Sequence, residues 1–166
     1  AGRVVGYTKM KAFKLKEDIR LYADESMAEE LLTIQARNVI DFSAAYDVVD
    51  PKTNEHIGTI RRKGLKSMVR DEWEVLDHED QLLAVIQEDS TWMALLRRFV
   101  DLVTLVFPQK YTMTSDGLPL GSFKQNYNPF VTKIAVDFTA DREKLLDRRL
   151  GLAAGILLCV IEGKQN

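Results

Sequence analysis

Apolar and polar residues alternate with a period of two along most of this 166-residue chain, the pattern of strands with one buried face. In EDIRLYAD, Ile19, Leu21 and Ala23 share one side while Arg20 and Tyr22 take the other. In ELLTIQARN, Leu32, Ile34 and Ala36 oppose Thr33, Gln35 and Arg37. Phe42, Ala44, Tyr46 and Val48 point one way in DFSAAYDVVD, and Ile134, Val136 and Phe138 oppose Lys133 and Asp137 in TKIAVDFT. Further strands are predicted at Val4–Lys9, Ile57–Lys63, Met68–Leu76, Leu82–Glu88, Lys110–Thr114 and Leu118–Lys124. DPKTNE, DHED and SDGLP supply turn chemistry between them. Ser26 and Glu29 in SMAEE hold the spacing of a capping box and predict a short turn of helix.

Two stretches have a helical period. In STWMALLRRFVDLVTLVF, Trp92, Leu95, Leu96, Phe99 and Leu102 form a stripe, with Ser90 as cap and Pro108 as stop. Packing on the sheet is a simpler use of that stripe than binding a partner helix. The second stretch is the run of twelve apolar residues from Leu150 to Ile161. A bilayer core needs about 20 such residues, and these reach only about 18 Å, so the run is not predicted to be a transmembrane segment. With cap candidates at Thr139 and Asp141 and Gly163 at C′, it predicts a helix from about Asp141 to Ile161. A helix apolar all round is expected to be enclosed on every side. Gly151, Ala153, Ala154 and Gly155 would let other backbone pass close to it. The fold class is therefore mainly β, with α. About ten antiparallel strands are predicted to close into a barrel without edges, threaded by this central apolar helix.

Length suits a single domain spanning residues 1–166, and 46 % apolar with 29 % charged residues reads as globular. A net charge of −2 argues against nucleic acid as a partner of the whole surface. One cysteine leaves no internal disulfide framework and suits a reducing, cytoplasmic location. No amino-terminal leader is visible. The chain opens in AGRVVGY without a Met, as in the middle of a turn and strand, so further sequence is expected upstream.

Catalytic motifs are missing: there is no G-x-S-x-G elbow, Walker loop or G-x-G-x-x-G. His56 and His78 sit in or beside turns without patterned ligand partners, so no metal or other cofactor is expected. Cys159 reads as a small buried hydrophobe. In RDEWEVLD, Asp71, Trp73 and Val75 share one face and Arg70, Glu72 and Glu74 the other. Asp71, if buried, needs a partner such as Arg148 or Arg149, and a structural pair outweighs a catalytic acid. The strongest charge feature is IRRKGLKSMVR, where Arg61, Arg62, Lys63, Lys66 and Arg70 surround a predicted turn at Gly64 with no acid between them. Such a cluster attracts phosphates, and arginine suits forked phosphate contacts. Solvated charges that protect a strand edge are the plainer alternative.

The stretches KAFKLKEDIRLYADESMAEELLTIQAR, DFSAAYDVVDPKTNEHIGTIRRKGLKSMVRDEWEVLD, IQEDS, NPF and LDRRLGLAAGILLCVIEG resemble a prokaryotic branch of the LURP-one-related family. That family is similar in fold to phospholipid scramblases and the tubby carboxy-terminal domain. The resemblance implies a barrel of about twelve strands around a carboxy-terminal helix. It also implies lipid association, since tubby domains bind phosphoinositides and scramblase-like proteins are linked to lipids and calcium. Asp137, Asp141 and Glu143 stand where scramblase-like chains cluster acids. Calcium wants six to eight oxygen ligands, and helix capping accounts for these acids more simply. The expected function is a non-enzymatic cytoplasmic module, peripheral at membranes, that binds anionic lipid or phosphoinositide headgroups through Arg61, Arg62, Lys63, Lys66 and Arg70. The alternative is a structural or protein-interaction module without a small ligand.

Overall fold

The computed structural model describes residues 6–11, 18–37, 44–63, 72–89, 109–126 and 133–161. The ten predicted strands are present as β1 (Tyr7–Lys11), β2 (Asp18–Tyr22), β3 (Glu30–Ala36), β4 (Ala45–Asp50), β5 (Glu55–Arg62), β6 (Glu72–Leu76), β7 (Leu82–Glu88), β8 (Lys110–Ser115), β9 (Leu118–Asn126) and β10 (Lys133–Asp137). They form one antiparallel sheet in sequence order, and a helix, α1 (Arg148–Ile161), follows. Among the described residues β1 and β10 end the sheet and do not pair with each other. The helix predicted over residues 90–107, the turn at Gly64 and the cap at Gly163 lie outside the described residues. No helix among the described residues is long and apolar enough to cross a membrane.

Two compact units divide the chain, at Ala1–Met68 with Trp73–Leu83 and at Val69–Glu72 with Ala84–Asn166. In the first unit register turns alternation into layers. Ile19 pairs with Ile34 and Ile34 with Val48, while Tyr46 pairs with Ile60 and Ile60 with Val75. All six are buried, and Trp73 joins them beside Tyr46 at 6.4 Å between ring centroids. The turns carry the expected chemistry. Asp50 accepts from the Lys52 N–H, and Asp77 accepts from the N–H groups of Glu79 and Gln81.

In the second unit the helix sits on β9 and β10. A Cβ on Gly121 would lie 2.5 Å from the Phe138 ring, and one on Gly151 would lie 2.4 Å from the other side of its edge. The ring of Phe138 therefore occupies space that two absent side chains leave free, and it meets Phe123 edge-on at 5.9 Å. One turn further along the helix, Gly155 stands against Val136 and Phe123. Asp116 and Gly117 both take positive φ in the β8–β9 turn, the left-handed pair of a two-residue hairpin.

Three expectations change. The helix starts at Arg148, not Asp141, because Lys144 has a φ of 57°, outside the right-handed helical region. Asp147 is the N-cap: its Oδ1 accepts the Arg149 N–H at 2.8 Å and its carbonyl accepts the Gly151 N–H at 3.1 Å. SMAEE is not helical. Met27 has a φ of 57°, and Asp24 accepts the Ser26 N–H at 2.8 Å in an Asx turn, while Glu29 pairs with Lys52. Nor is α1 enclosed on every side. Leu150, Gly151, Ala153, Ala154, Gly155, Leu157 and Leu158 are buried, but Leu152 is 41 % exposed and Ile156, Cys159 and Val160 are half-buried.

Candidate functional site

The side of the first unit's sheet opposite its apolar layer carries polar rows. Asp18, Gln35, Asp47 and Thr59 align across four strands, Arg20, Thr33, Val49 and His56 form the next row, and Ala45, Arg61 and Glu74 a third. Three charged clusters grow from these rows.

The first contains the sequence-predicted basic site. Arg61, at the end of β5, is the direct cross-strand neighbour of Glu74 on β6. Its Nε donates to Glu74 Oε2 at 2.8 Å, and its Nη2 meets the same oxygen. Lys63 reaches the other oxygen, with Nζ 3.1 Å from Oε1. Only 8 % of the Glu74 side chain is exposed, against 46 % of Arg61 and 52 % of Lys63. Burial pushes the Glu74 carboxyl up, but hydrogen bonds and charge from Arg61 and Lys63 outweigh that and hold it below its ordinary value. Arg62 points to the other side, with its guanidinium 5.7 Å from the Trp73 ring centroid. The structure thus brings Arg61 and Lys63 together and sends Arg62 elsewhere, while Lys66 and Arg70 lie outside the described residues. The missed residue is Glu74. Alternation placed it on the correct face, but nothing local reveals a register that sets it beside Arg61.

The second cluster joins Arg37, Asp47, His56, Thr59 and Asp80. Arg37 Nε donates to Asp47 Oδ2 at 3.0 Å, and its Nη2 donates to Thr59 Oγ1 at 3.0 Å and Asp80 Oδ1 at 2.9 Å. Thr59 is fully buried and donates to Asp47 Oδ1 at 2.9 Å. His56 is a half-buried strand residue, not the solvated turn residue expected. Its Nδ1 lies 3.3 Å from the His78 carbonyl, and its Nε2 lies 3.3 Å from both Asp47 Oδ1 and Thr59 Oγ1. An acid–base relay needs acid and nucleophile on different ring nitrogens. Here one nitrogen faces both, and the Thr59 hydroxyl lies nearer the Asp47 carboxylate, at 2.9 Å, than the ring, at 3.3 Å. Fastening the β6–β7 turn to the sheet is what this geometry does.

The third cluster lies before α1. Asp141 is 5 % exposed and accepts the N–H groups of Leu145 and Leu146 at 2.9 and 3.2 Å. Arg148 pairs with it at 3.0 Å while lying 5.2 Å from the Phe138 ring centroid. Burial pushes the Asp141 carboxyl up, and the two backbone amides with Arg148 more than offset this and hold it low. Arg149 pairs with Asp147. The two arginines considered as partners for Asp71 thus engage other acids, and Asp71 itself lies outside the described residues. Among the described residues no three His, Cys, Asp or Glu side chains converge as a metal site. Burial pushes the half-buried Cys159 thiol up. Among the described residues the buried Trp73 indole N–H has no hydrogen-bond partner.

Comparison of the chain with protein families, with curated proteins and with solved structures finds no match.

Proposed function

We propose that this chain is a non-enzymatic module that holds anionic phospholipid or phosphoinositide headgroups at the end of β5. The observation that carries the reading is the convergence of Arg61 and Lys63 on the two oxygens of one carboxylate. Two cations spaced to grip a carboxylate are spaced to grip a phosphate oxygen pair, and both side chains keep about half their surface in solvent. Closure of the sheet into a barrel about α1, kinship with the LURP-one-related family and a cytoplasmic, membrane-peripheral location belong to the same proposal. Lys66 and Arg70 extend the site in sequence.

Vesicle flotation tests it. Wild type should float with phosphatidylcholine vesicles containing phosphatidylserine or phosphoinositide at low salt, less at physiological salt, and not with phosphatidylcholine alone. Removing the two cations alone would strand buried Glu74. The proper variant is therefore Arg61→Gln with Lys63→Gln and Glu74→Gln, which should fold and fail to float. Lys9→Glu with Lys133→Glu is the control. Equal flotation of wild type and the triple variant overturns the lipid reading. A protein-interaction module then takes its place, favoured by the exposed Leu145 and Leu152 at 47 % and 41 %.

A further inference from the structure

We propose that Glu74 is a built-in competitor for the anion, occupying the Arg61–Lys63 grip until a more highly charged oxyanion displaces it. The inference rests on the headgroup reading and assigns its regulation to one residue. Glu74 comes from a different strand than the two cations and meets them as a bidentate anion would, one oxygen to each. Its side chain is nearly closed off while theirs are half open. An incoming ligand therefore approaches the cations from the solvent side and contests their hydrogen bonds with a carboxylate already in place.

Among the described residues Arg61 and Lys63 meet Glu74 as two positive charges against one negative. A carboxylate or another singly charged anion gains little by exchange, because it only replaces what is there. A phosphate monoester, with charge between about −1.5 and −2 at neutral pH and three strong acceptor oxygens, gains by it. The competitor thus selects for phosphomonoester groups over monoanions. It also keeps occupancy low until a surface presents such groups densely. The shared chemistry is the phosphomonoester, on a phosphoinositide headgroup or on a soluble inositol phosphate.

Glu74→Gln is the direct test, since it keeps shape and removes the competing charge. Partition onto phosphoinositide vesicles should tighten about fivefold at low salt, the factor of one additional cation at an anionic surface. The preference for phosphoinositide over phosphatidylserine should shrink. Flotation of Glu74→Gln without flotation of wild type supports the competitor in its strictest form. Equal or weaker flotation of the variant beside a floating wild type overturns the competitor and leaves the headgroup reading intact. Flotation of neither sinks the lipid reading, and if neither protein binds inositol hexakisphosphate the competitor falls with it. A parallel titration of each protein with inositol hexakisphosphate separates the sources: a fivefold gain there, with no vesicle binding, assigns the site to a free phosphate ester. Should Glu74→Gln fail to fold, the wild-type protein still decides. Binding of inositol hexakisphosphate must shift the Arg61 Nε–H resonance as Glu74 is displaced, and an unmoved resonance under saturating ligand refutes displacement.

Discussion

At Gly151 a single added carbon would lie 2.4 Å from the Phe138 ring, whereas at Arg61 almost half of the side chain is open to water. The helix seat of the second unit is held by shape. Phe138 fills the space beside Gly121 and Gly151, and every atom nearby is a constraint. The polar face of the first unit is held by charge across longer, softer side chains. Its contacts can exchange partners, because one oxyanion satisfies an arginine much as another does. The difference teaches where stability and where recognition reside: substitutions in the seat should change whether the protein folds, and substitutions on the polar face should change what it holds.

The sharpest way to break that contrast is Gly151→Leu. Overpacking against Phe138 should cost about 3 kcal/mol, read as a lowered denaturant midpoint. Ala154→Leu, on the same buried side, should cost about 1–3 kcal/mol. Phe138→Leu should recover part of the Gly151→Leu loss, because the two residues share one space; strict additivity would show that they do not. Asp141→Ala comes next, at about 2 kcal/mol at neutral pH, since it strips acceptors from two backbone amides. The folded state holds this carboxyl below its unfolded value. Its contribution is therefore present above the unfolded value and lost as pH falls through the folded one. Urea melts should show wild type and variant converging in strong acid, and a constant gap would count against it. Thr59→Val removes the buried hydroxyl between Arg37 and Asp47 and should cost about 1 kcal/mol by the same melts. The smallest effect belongs to Lys52→Ala. Its partner Glu29 is also exposed, so the midpoint should not move measurably.

Legibility in the sequence follows the same division. All ten strands stand where they were expected, but not every one has the buried face that the two-residue period implies: β2 and β4 alternate, whereas β10 buries no residue and leaves Val136 38 % exposed. That Gly151, Ala153, Ala154 and Gly155 form a thin, buried side of the carboxy-terminal helix was also readable, but what passes close to the two glycines is side chain, Phe138, Val136 and Phe123, and not the backbone expected. The helix start was not. Asp141 has the chemistry of a cap, and only the left-handed turn at Lys144 moves the start on to Asp147. Phe138 as the occupant of two glycine gaps depends on a contact between three separate elements. Glu74 was hidden for a similar reason: the basic stretch holds no acid of its own, and the acid that meets it comes from the next strand. Polar partners that cross strands have no period to betray them.

Every strand of this sheet lies beside its neighbour in sequence, and that bears on how quickly the chain can assemble. Each pairing closes only the loop between consecutive strands, so the entropy lost before contacts form is small for a β protein. Gly121, Phe138 and Gly151 likewise come from one contiguous stretch, β9 through α1. The segment can thus gather its own nucleus without waiting for distant chain. Mutations in the helix seat should then slow refolding, while those on the polar face of the first unit should chiefly hasten unfolding.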